Sequence, residues 1–198
     1  MEDNFPKESL TDEAIVELVK NDDESAYQIL VKRYASYIFN FVRQYAPHKE
    51  DAEDITQDTF LKAWKHIKTF KKEKKFKTWL FTIARNVAID YTKKKRSLSF
   101  SDMESGNDED APTFAETLSD AEPLPPEIFE RSEIAAELAG ALDTLHPDHR
   151  STLVMHYRDE MTFEEIAEIL GKPMNTVKSW HRRALAKVHD MLLHRKPL

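Results

Sequence analysis

The fold of this chain is decided by the sequence TFEEIAEILG at residues 162–171 together with NTVKSWHRRAL at residues 175–185. Thr162 and Glu165 have the spacing of a capping box, which predicts that a helix begins there. Gly171 supplies the left-handed residue that ends a helix. Two helices joined across such a short turn predict a helix-turn-helix, whose second helix enters the major groove of DNA.

The second helix of this motif has an apolar side and a cationic side. We predict Asn175 as its N-cap, and at about 100° per residue its apolar side holds Val177, Ala184, Val188 and Met191. The residues predicted to contact DNA are Thr176, Lys178, Ser179, Arg182 and Arg183. Arginine suits a bidentate bond to guanine, whereas lysine and serine serve bases or phosphates. An amphipathic surface helix with ordinary solvated charge is the alternative, and the capped helix before it favours DNA binding.

The composition favours an all-α protein of two small helical domains. The chain has 198 residues, of which 40% are hydrophobic and only 3 are Gly, and no run of alternating β-branched residues predicts a strand. The acidic N-terminus lacks the apolar region of a signal peptide, and no apolar run is long enough to span a membrane. The absence of Cys excludes disulfides and thiolate metal sites. This composition is compatible with the reducing cytoplasm, which is the localisation that we predict.

The net charge of −7 is concentrated in the middle of the chain. Residues 1–96 hold 19 Lys and Arg against 16 Asp and Glu, a net of +3. Residues 97–140 have a net charge of −11, and residues 141–198 have +1. The two flanking segments can therefore bind nucleic acid despite the acidic total. From 97 to about 130 the prolines 112, 123, 125 and 126 exclude a continuous helix, which predicts an acidic, flexible linker between the two domains.

Four helices are predicted before this linker. Thr11 caps the first, the second runs over about 24–45 and is ended by Pro47, the third covers about 49–67, and the fourth contains Trp79. After the linker, helix resumes by Ile134 and a further helix runs from His149 to Arg158 ahead of the helix-turn-helix.

The third predicted helix also has two faces. Its packed side holds Ala52, Thr59, Phe60, Ala63 and Ile67. Its other side holds Glu50, Asp51, Asp54, Gln57, Asp58 and Leu61. A solvated acidic face is one interpretation of this pattern, but an exposed leucine among acids is more typical of a protein interface.

A basic loop from Phe70 to Phe76 precedes the fourth predicted helix. In that helix we predict that Trp79 packs against other residues of the protein. The packed side of the helix is predicted to hold Leu80, Ile83, Val87 and Tyr91. The polar residues that remain are candidates for DNA contact, namely Lys77, Arg85, Asn86 and Lys93.

Three segments of the chain resemble a known family in the expected order. The run from 51 to 64 resembles region 2.2 of bacterial sigma factors, residues 76–90 resemble the following segment that meets the −10 element, and residues 145–185 resemble region 4. The missing domain between them makes the chain resemble an extracytoplasmic-function (ECF) sigma factor. Two positions depart from the family pattern and imply an altered promoter readout: Asn175 stands where Gly is common, and Trp180-His181 where Arg and an apolar residue are common.

The resemblance implies a division into regions and a set of partners. Residues 1–10 are an N-terminal tail, 11–96 region 2, 97–132 the acidic linker, and 133–198 region 4. Core RNA polymerase is the expected protein partner, through its β′ clamp and its β flap, and an anti-sigma factor is expected as well. On the β′ clamp coiled coil the expected contacts are Asp51, Asp54, Gln57, Asp58 and Leu61.

Promoter DNA is the other partner that the resemblance implies. The −10 contacts would come from Lys77, Arg85, Asn86 and Lys93, and the −35 contacts from the five residues of the second helix of the motif. The Phe70–Phe76 loop sits where the family captures a base flipped from the opened strand. The linker would thread a channel of the polymerase, although a simple tether is the alternative.

Two other classes of function are weighed against this one. His146, Asp148, His149 and His156 form a loose cluster, but Pro147 interrupts it, and no phosphate loop or catalytic motif accompanies it. We therefore predict no enzymatic activity, no metal and no cofactor. A helix-turn-helix regulator that binds duplex DNA without the polymerase is the stronger alternative, but it leaves the acidic third helix and the basic loop unexplained.

Overall fold

The structure, a computed structural model, describes residues 7–46, 48–101 and 126–193, and these contain eight α-helices and no strand. The helices are Asp12–Lys20 (α1), Glu24–Val42 (α2), Lys49–His66 (α3), Phe76–Ser101 (α4), Pro126–Asp143 (α5), Pro147–Tyr157 (α6), Phe163–Leu170 (α7) and Met174–Leu193 (α8). Short 3-10 helices lie at Lys7–Ser9 and Ile67–Thr69. The all-α prediction is confirmed. The chain divides into an N-terminal unit that contains α1 to α4 and a C-terminal unit that contains α5, α6 and α8.

The N-terminal unit packs α1 to α4 around one aromatic and aliphatic core. Thr11 caps α1, as predicted, by accepting a hydrogen bond from the amide of Ala14. Asp12 then ties α1 to α2, because Arg33 and the hydroxyl of Tyr34 both donate to its carboxylate. The predicted packed side of α3 is confirmed, since all five of its residues are buried. The largest fully buried side chains of this unit are Ile15, Leu30, Ile38, Phe41, Ile55, Phe76, Leu80 and Phe81.

Several helix ends differ from the sequence predictions. α2 ends at Val42 rather than near Tyr45, because the amide of Tyr45 turns back to the carbonyl of Val42 at 2.9 Å in a tighter turn. α4 continues to Ser101 and α5 begins at Pro126, both inside the segment expected to be linker. No Pro or Gly interrupts 93–101, and proline is well tolerated at the first position of a helix.

Two predicted features fall where the structure describes nothing. Pro47, expected to end the second helix, lies outside the described residues, and so does the segment 102–125 with Pro112, Pro123 and Pro125. The flexibility of the linker therefore stays a prediction.

The C-terminal unit has a small apolar core to which α5, α6 and α8 contribute. Its buried residues are Ala141, Leu145, Leu153, Ala184 and Val188, with Leu142 packed against them. Pro147 occupies the first position of α6, where its missing amide hydrogen costs nothing. None of the helices in the described part of the chain combines the length and apolar character needed to span a bilayer.

Local hydrogen bonds at both ends of α7 confirm the predicted turn. The amide of Thr162 donates to Glu165 at 2.8 Å, and the amide of Glu165 donates to the Thr162 hydroxyl at 3.3 Å, completing the capping box. Gly171 has a φ of +58°. The amide of Lys172 then reaches back to the carbonyl of Ala167 at 3.0 Å, which satisfies an open carbonyl at the end of the helix.

The prediction that Asn175 caps α8 is wrong. The helix begins at Met174, and the carbonyl of Pro173 accepts from the amides of Thr176 at 2.9 Å and Val177 at 3.2 Å. Pro173 thus occupies the N-cap position, and Asn175 lies exposed inside the first turn. Any N-cap residue supplies such a carbonyl, whatever its side chain, so the hydrogen-bond ladder can start at Pro173 although proline has no capping side chain.

Candidate protein and nucleic-acid interfaces

The residues expected to dock on the polymerase lie on two different sides of α3. Gln57 and Leu61 border an apolar groove between α2 and α3. Asp51, Asp54 and Asp58 border a polar groove between α3 and α4 instead. The single surface expected from the sequence is therefore two adjoining surfaces with different chemistry.

The apolar groove has walls that are joined to each other by contacts between α2 and α3. The hydroxyl of Tyr27 donates to the carbonyl of Phe60 at 2.6 Å, and its ring packs against Trp64 with centroids 4.9 Å apart. Leu61 is 56% exposed and Trp64 is 37% exposed beside it. Exposed leucine and tryptophan around a preformed concave surface are typical of the core of a protein interface.

Tyr27 and Trp64 were missed as candidate interface residues. Trp64 follows Leu61 by three residues and Gln57 by seven, so the helical period alone could have found it. Tyr27 belongs to a different helix, and no local pattern marks it.

The polar groove uses one of its carboxylates to hold the fold together. Asp51 accepts from the hydroxyl of Tyr91 at 2.6 Å and from the ammonium of Lys95 at 2.9 Å. Burial by itself would raise the pKa of Asp51, but these two bonds outweigh it and lower the pKa. The hydrogen bond to Asp51, with some burial, raises the pKa of Tyr91 to about 12. Asp51 thus links α3 to α4, whereas Asp54 and Asp58 remain exposed.

The four candidates on α4 do not form one surface. Asn86 and Lys93 are both exposed and, seven residues apart, share one side of the helix. Lys77 lies elsewhere around the helix, with its ammonium 5.7 Å from the centre of the Tyr37 ring. Arg85 is half-buried and its Nε is buried without a hydrogen-bond partner. Asn86 and Lys93 are therefore the two of these candidates that share an exposed side of α4.

The basic loop has a packed stem and an exposed tip. Phe70 and Phe76 are buried, and their ring centroids are 5.9 Å apart. Trp79 packs against both, at 5.4 Å and 5.7 Å, which confirms that it is a packed residue. All of 71–75 is exposed and includes four lysines. On the predicted packed side of α4, Leu80 and Val87 are buried. Ile83 and Tyr91 are half-buried.

The second helix of the motif, α8, exposes its cationic side. Val177, Ala184 and Val188 are buried as predicted, although Met191 is 37% exposed. Of the five predicted DNA contacts, three are exposed, namely Lys178, Arg182 and Arg183. The other two, Thr176 and Ser179, are half-buried. Three long cationic side chains on one face give this helix the chemistry to bind both bases and phosphates.

The histidines weighed as metal ligands form aromatic clusters instead. The Nδ1 of His146 accepts from the amide of Asp148 at 3.3 Å, so this ring caps α6. The ring of His149 lies between those of His146 and Trp180, at centroid distances of 5.9 Å and 5.3 Å. Within the described residues no group of three or more His, Asp or Glu side chains is arranged to hold a metal ion.

A second ring cluster holds α8 against α6 and α7. His156 stacks on Phe163 at 4.6 Å, and the ring of His181 lies 5.1 Å from each of them. The Nε2 of His181 is 3.2 Å from the hydroxyl of Tyr157. Burial is the main cause that lowers the pKa of His181 below its ordinary value of 6.5, and the neighbouring His156 lowers this pKa further. Burial likewise lowers the pKa of His149.

We expect the free energy of unfolding to decrease as the pH falls below about 6.5. A folded-state pKa below the unfolded value means that the unfolded chain binds the proton more tightly, so the stability is complete above pH 6.5 and is lost below it. Urea denaturation between pH 7.5 and 5.5 measures this loss, which His181→Gln should reduce. His189→Gln is the control, because His189 is exposed. A pH dependence in His181→Gln equal to that of the unchanged protein would contradict the prediction.

Comparisons with known proteins match both units. Sigma-70 region 2 matches residues 30–98, and Sigma-70 region 4 matches residues 135–188. The ECF RNA polymerase sigma factor SigW of Bacillus subtilis is 30% identical over 164 residues, covering 83% of this chain and 87% of that protein. The ECF RNA polymerase sigma-E factor of Haemophilus influenzae is 30% identical over 188 residues, covering 93% and 97%.

A solved structure has the same fold. The sigma factor RpoE of Bartonella quintana, in complex with the anti-sigma factor NepR, is similar with a TM-score of 0.65 and 23% identity. The similarity covers 86% of this chain and 98% of that one.

Proposed function

This chain belongs to the ECF sigma factors, and from this premise we propose which of its surfaces meet the polymerase and which meet the promoter. As a member of the family it binds core RNA polymerase and directs promoter-specific transcription initiation. We propose that it works in the cytoplasm, by binding alone and without a cofactor.

The apolar groove between α2 and α3 is the proposed docking site for the β′ clamp coiled coil. Leu61 and Trp64 provide the apolar contact, and Gln57 lies at the same groove. The exposed carboxylates Asp54 and Asp58, on the adjoining side of α3, would meet cations of the partner. An apolar centre with charges at its edge fits a specific protein interface. The β flap is the proposed partner of the C-terminal unit.

The loop tip 71–75 and the Asn86–Lys93 side of α4 are proposed to bind the opened −10 strand. Extracting a base from a duplex costs a few kcal/mol, which contacts with the flipped base must offset. The exposed lysines of the tip would bind backbone phosphates next to that base.

The cationic face of α8 is proposed to read the −35 element. Arg182, one turn after Lys178, suits a guanine edge in the major groove, and Arg183 would bind a phosphate. An anti-sigma factor is proposed as a further partner, because the RpoE of similar fold is bound to one.

One observation carries this proposal: a single chain joins an exposed apolar and acidic α3 to an exposed cationic α8. The test is transcription with purified core polymerase on a pool of promoter fragments. We expect transcripts from a restricted set of promoters only when both proteins are present. The alternative, a regulator that acts without the polymerase, would bind its duplex unaided. Specific duplex binding without co-elution with core polymerase would therefore overturn the proposal.

A further inference from the structure

Helix α1 holds both ends of the basic loop. The ammonium of Lys20 donates to the carbonyl of Phe70 at 2.8 Å, at the start of the loop. The carboxylate of Glu13 accepts from the amide of Phe76 at 3.3 Å, at the end of the loop. Lys20 and Phe70 are 50 positions apart in the sequence, and Glu13 and Phe76 are 63 positions apart. α1 lies before residues 30–98, the segment that matches Sigma-70 region 2.

Each contact supplies a partner to a backbone group at a helix end. Phe76 is the first residue of α4, so its amide has no acceptor within the helix. The Glu13 carboxylate accepts this bond and also places a negative charge at the positive end of the helix. Lys20 lies 5.7 Å from the centre of the Phe70 ring and pairs with Glu17 at 3.1 Å, which holds its ammonium over the Phe70 carbonyl.

The stem of the loop transmits this anchoring to the tip. Phe70 and Phe76 are 4% and 0% exposed, so neither end can shift without disturbing the core. Between them only residues 71–75 are left to form the tip, and the amide of Lys74 closes it on the carbonyl of Lys71 at 3.0 Å. With both ends held by α1, the tip is confined to few positions.

We propose that Lys20 and Glu13 are positioning residues that hold the loop tip where it captures the base flipped from the opened −10 strand. This inference rests on the proposed function of the loop. A loop backbone that is ordered before it binds DNA loses less conformational entropy on binding, so more of the free energy of the contacts to the base appears as affinity.

The first experiment compares holoenzymes on single-stranded −10 probes, one intact and the others carrying an abasic site at each position in turn. Lys20→Met deletes the ammonium and keeps an apolar stem over Phe70. We expect it to weaken binding of the intact probe about tenfold, the size expected for a part-buried hydrogen bond from a charged donor. On the probe that lacks the captured base, the loss should be much smaller, because only the phosphate contacts of the tip remain to be weakened. Lys20→Arg should restore most of the affinity.

Lys68→Met is the matched control for charge. Lys68 lies two residues before Phe70 and is exposed, in an ion pair with Asp22 at 3.1 Å. We expect it to bind every probe as the unchanged protein does. An equal loss on all probes with Lys20→Met would show a general structural role and would overturn positioning.

The second experiment measures the anchoring without DNA. In the free protein, Lys20→Met should speed tryptic cleavage after the lysines of 71–75. Glu13→Ala should speed hydrogen exchange at the Phe76 amide, whereas Glu13→Gln keeps an oxygen acceptor and should change it little.

The two experiments together separate the anchoring of the loop by α1 from the function that this anchoring serves. Unchanged cleavage and exchange in the variants, with weaker binding of one abasic probe by the unchanged holoenzyme, would overturn the anchoring by α1 alone. An unchanged holoenzyme indifferent to every abasic position would overturn base capture itself and, with it, this role of α1.

Discussion

Leu61→Arg is expected to abolish holoenzyme assembly and leave the N-terminal unit folded. Leu61 is 56% exposed, so the longer side chain meets solvent in the free protein and costs the core nothing. In the docked state the guanidinium would have to be buried against the partner in the apolar contact beside Trp64. Desolvating it there costs several kcal/mol, enough to lower the affinity by more than about a hundredfold. Gel filtration with core polymerase measures assembly, and urea denaturation measures folding.

Asp58→Arg tests the polar side of α3 in the same assay, and Asp54→Arg repeats that test. Reversing a charge at a docked interface costs several kcal/mol through like-charge contact, so we expect assembly to fail here as well. Lys65→Glu is the control of opposite sign: Lys65 is exposed one turn after Leu61, and assembly should survive its reversal.

The pattern of failures locates the docking site. Loss with Leu61→Arg alone would assign docking to the apolar groove, and loss with the Asp variants alone would assign it to the polar groove. Full assembly by all three variants would exclude α3 as the docking helix.

Local patterns in the sequence were sufficient to predict the packed side of α3 and the two ends of α7. The 3.6-residue period identified the packed side of α3, because burial against any neighbour selects the same apolar residues. The capping box at Thr162 and the left-handed Gly171 were equally predictable, since each depends on contacts within a few residues. Asn175 shows the limit of this approach: a good capping residue was present, but the backbone of Pro173 began the helix first.

What the sequence could not predict depends on which helices become neighbours. Asp51 belonged to the acidic face by period, yet Tyr91 and Lys95 of α4 bind it, 40 and 44 residues away. For the same reason the acidic face divides into two grooves, one shared with α2 and the other with α4. The sequence did not predict that Lys20 anchors the loop, because the carbonyl that it binds, that of Phe70, lies 50 residues further along the chain.

Arg182→Ala distinguishes base reading from phosphate anchoring on α8. Arg182 is exposed, and on the opposite side of the helix Val177, Ala184 and Val188 are buried, so its truncation leaves the core intact. If Arg182 forms a bidentate contact with a guanine, the holoenzyme should lose about 1–3 kcal/mol on its preferred −35 sequence. On a promoter changed at that single base pair, the loss should be much smaller, because the contact is already absent there.

Arg183→Ala is the matched comparison, one position along the same exposed face. If Arg183 contacts a phosphate, its replacement by Ala should weaken binding to all −35 sequences alike. It should also lower the slope of log affinity against log salt concentration by about one. His181 lies on the packed side of α8, so His181→Gln should lower the stability of the fold more than it changes the preference for a −35 sequence. Binding of each variant to every single-base −35 substitution, at two salt concentrations, separates these effects. A loss with Arg182→Ala that is uniform over all the substitutions would assign Arg182 to phosphate anchoring, because only a base contact can be removed from the DNA side by changing one base pair.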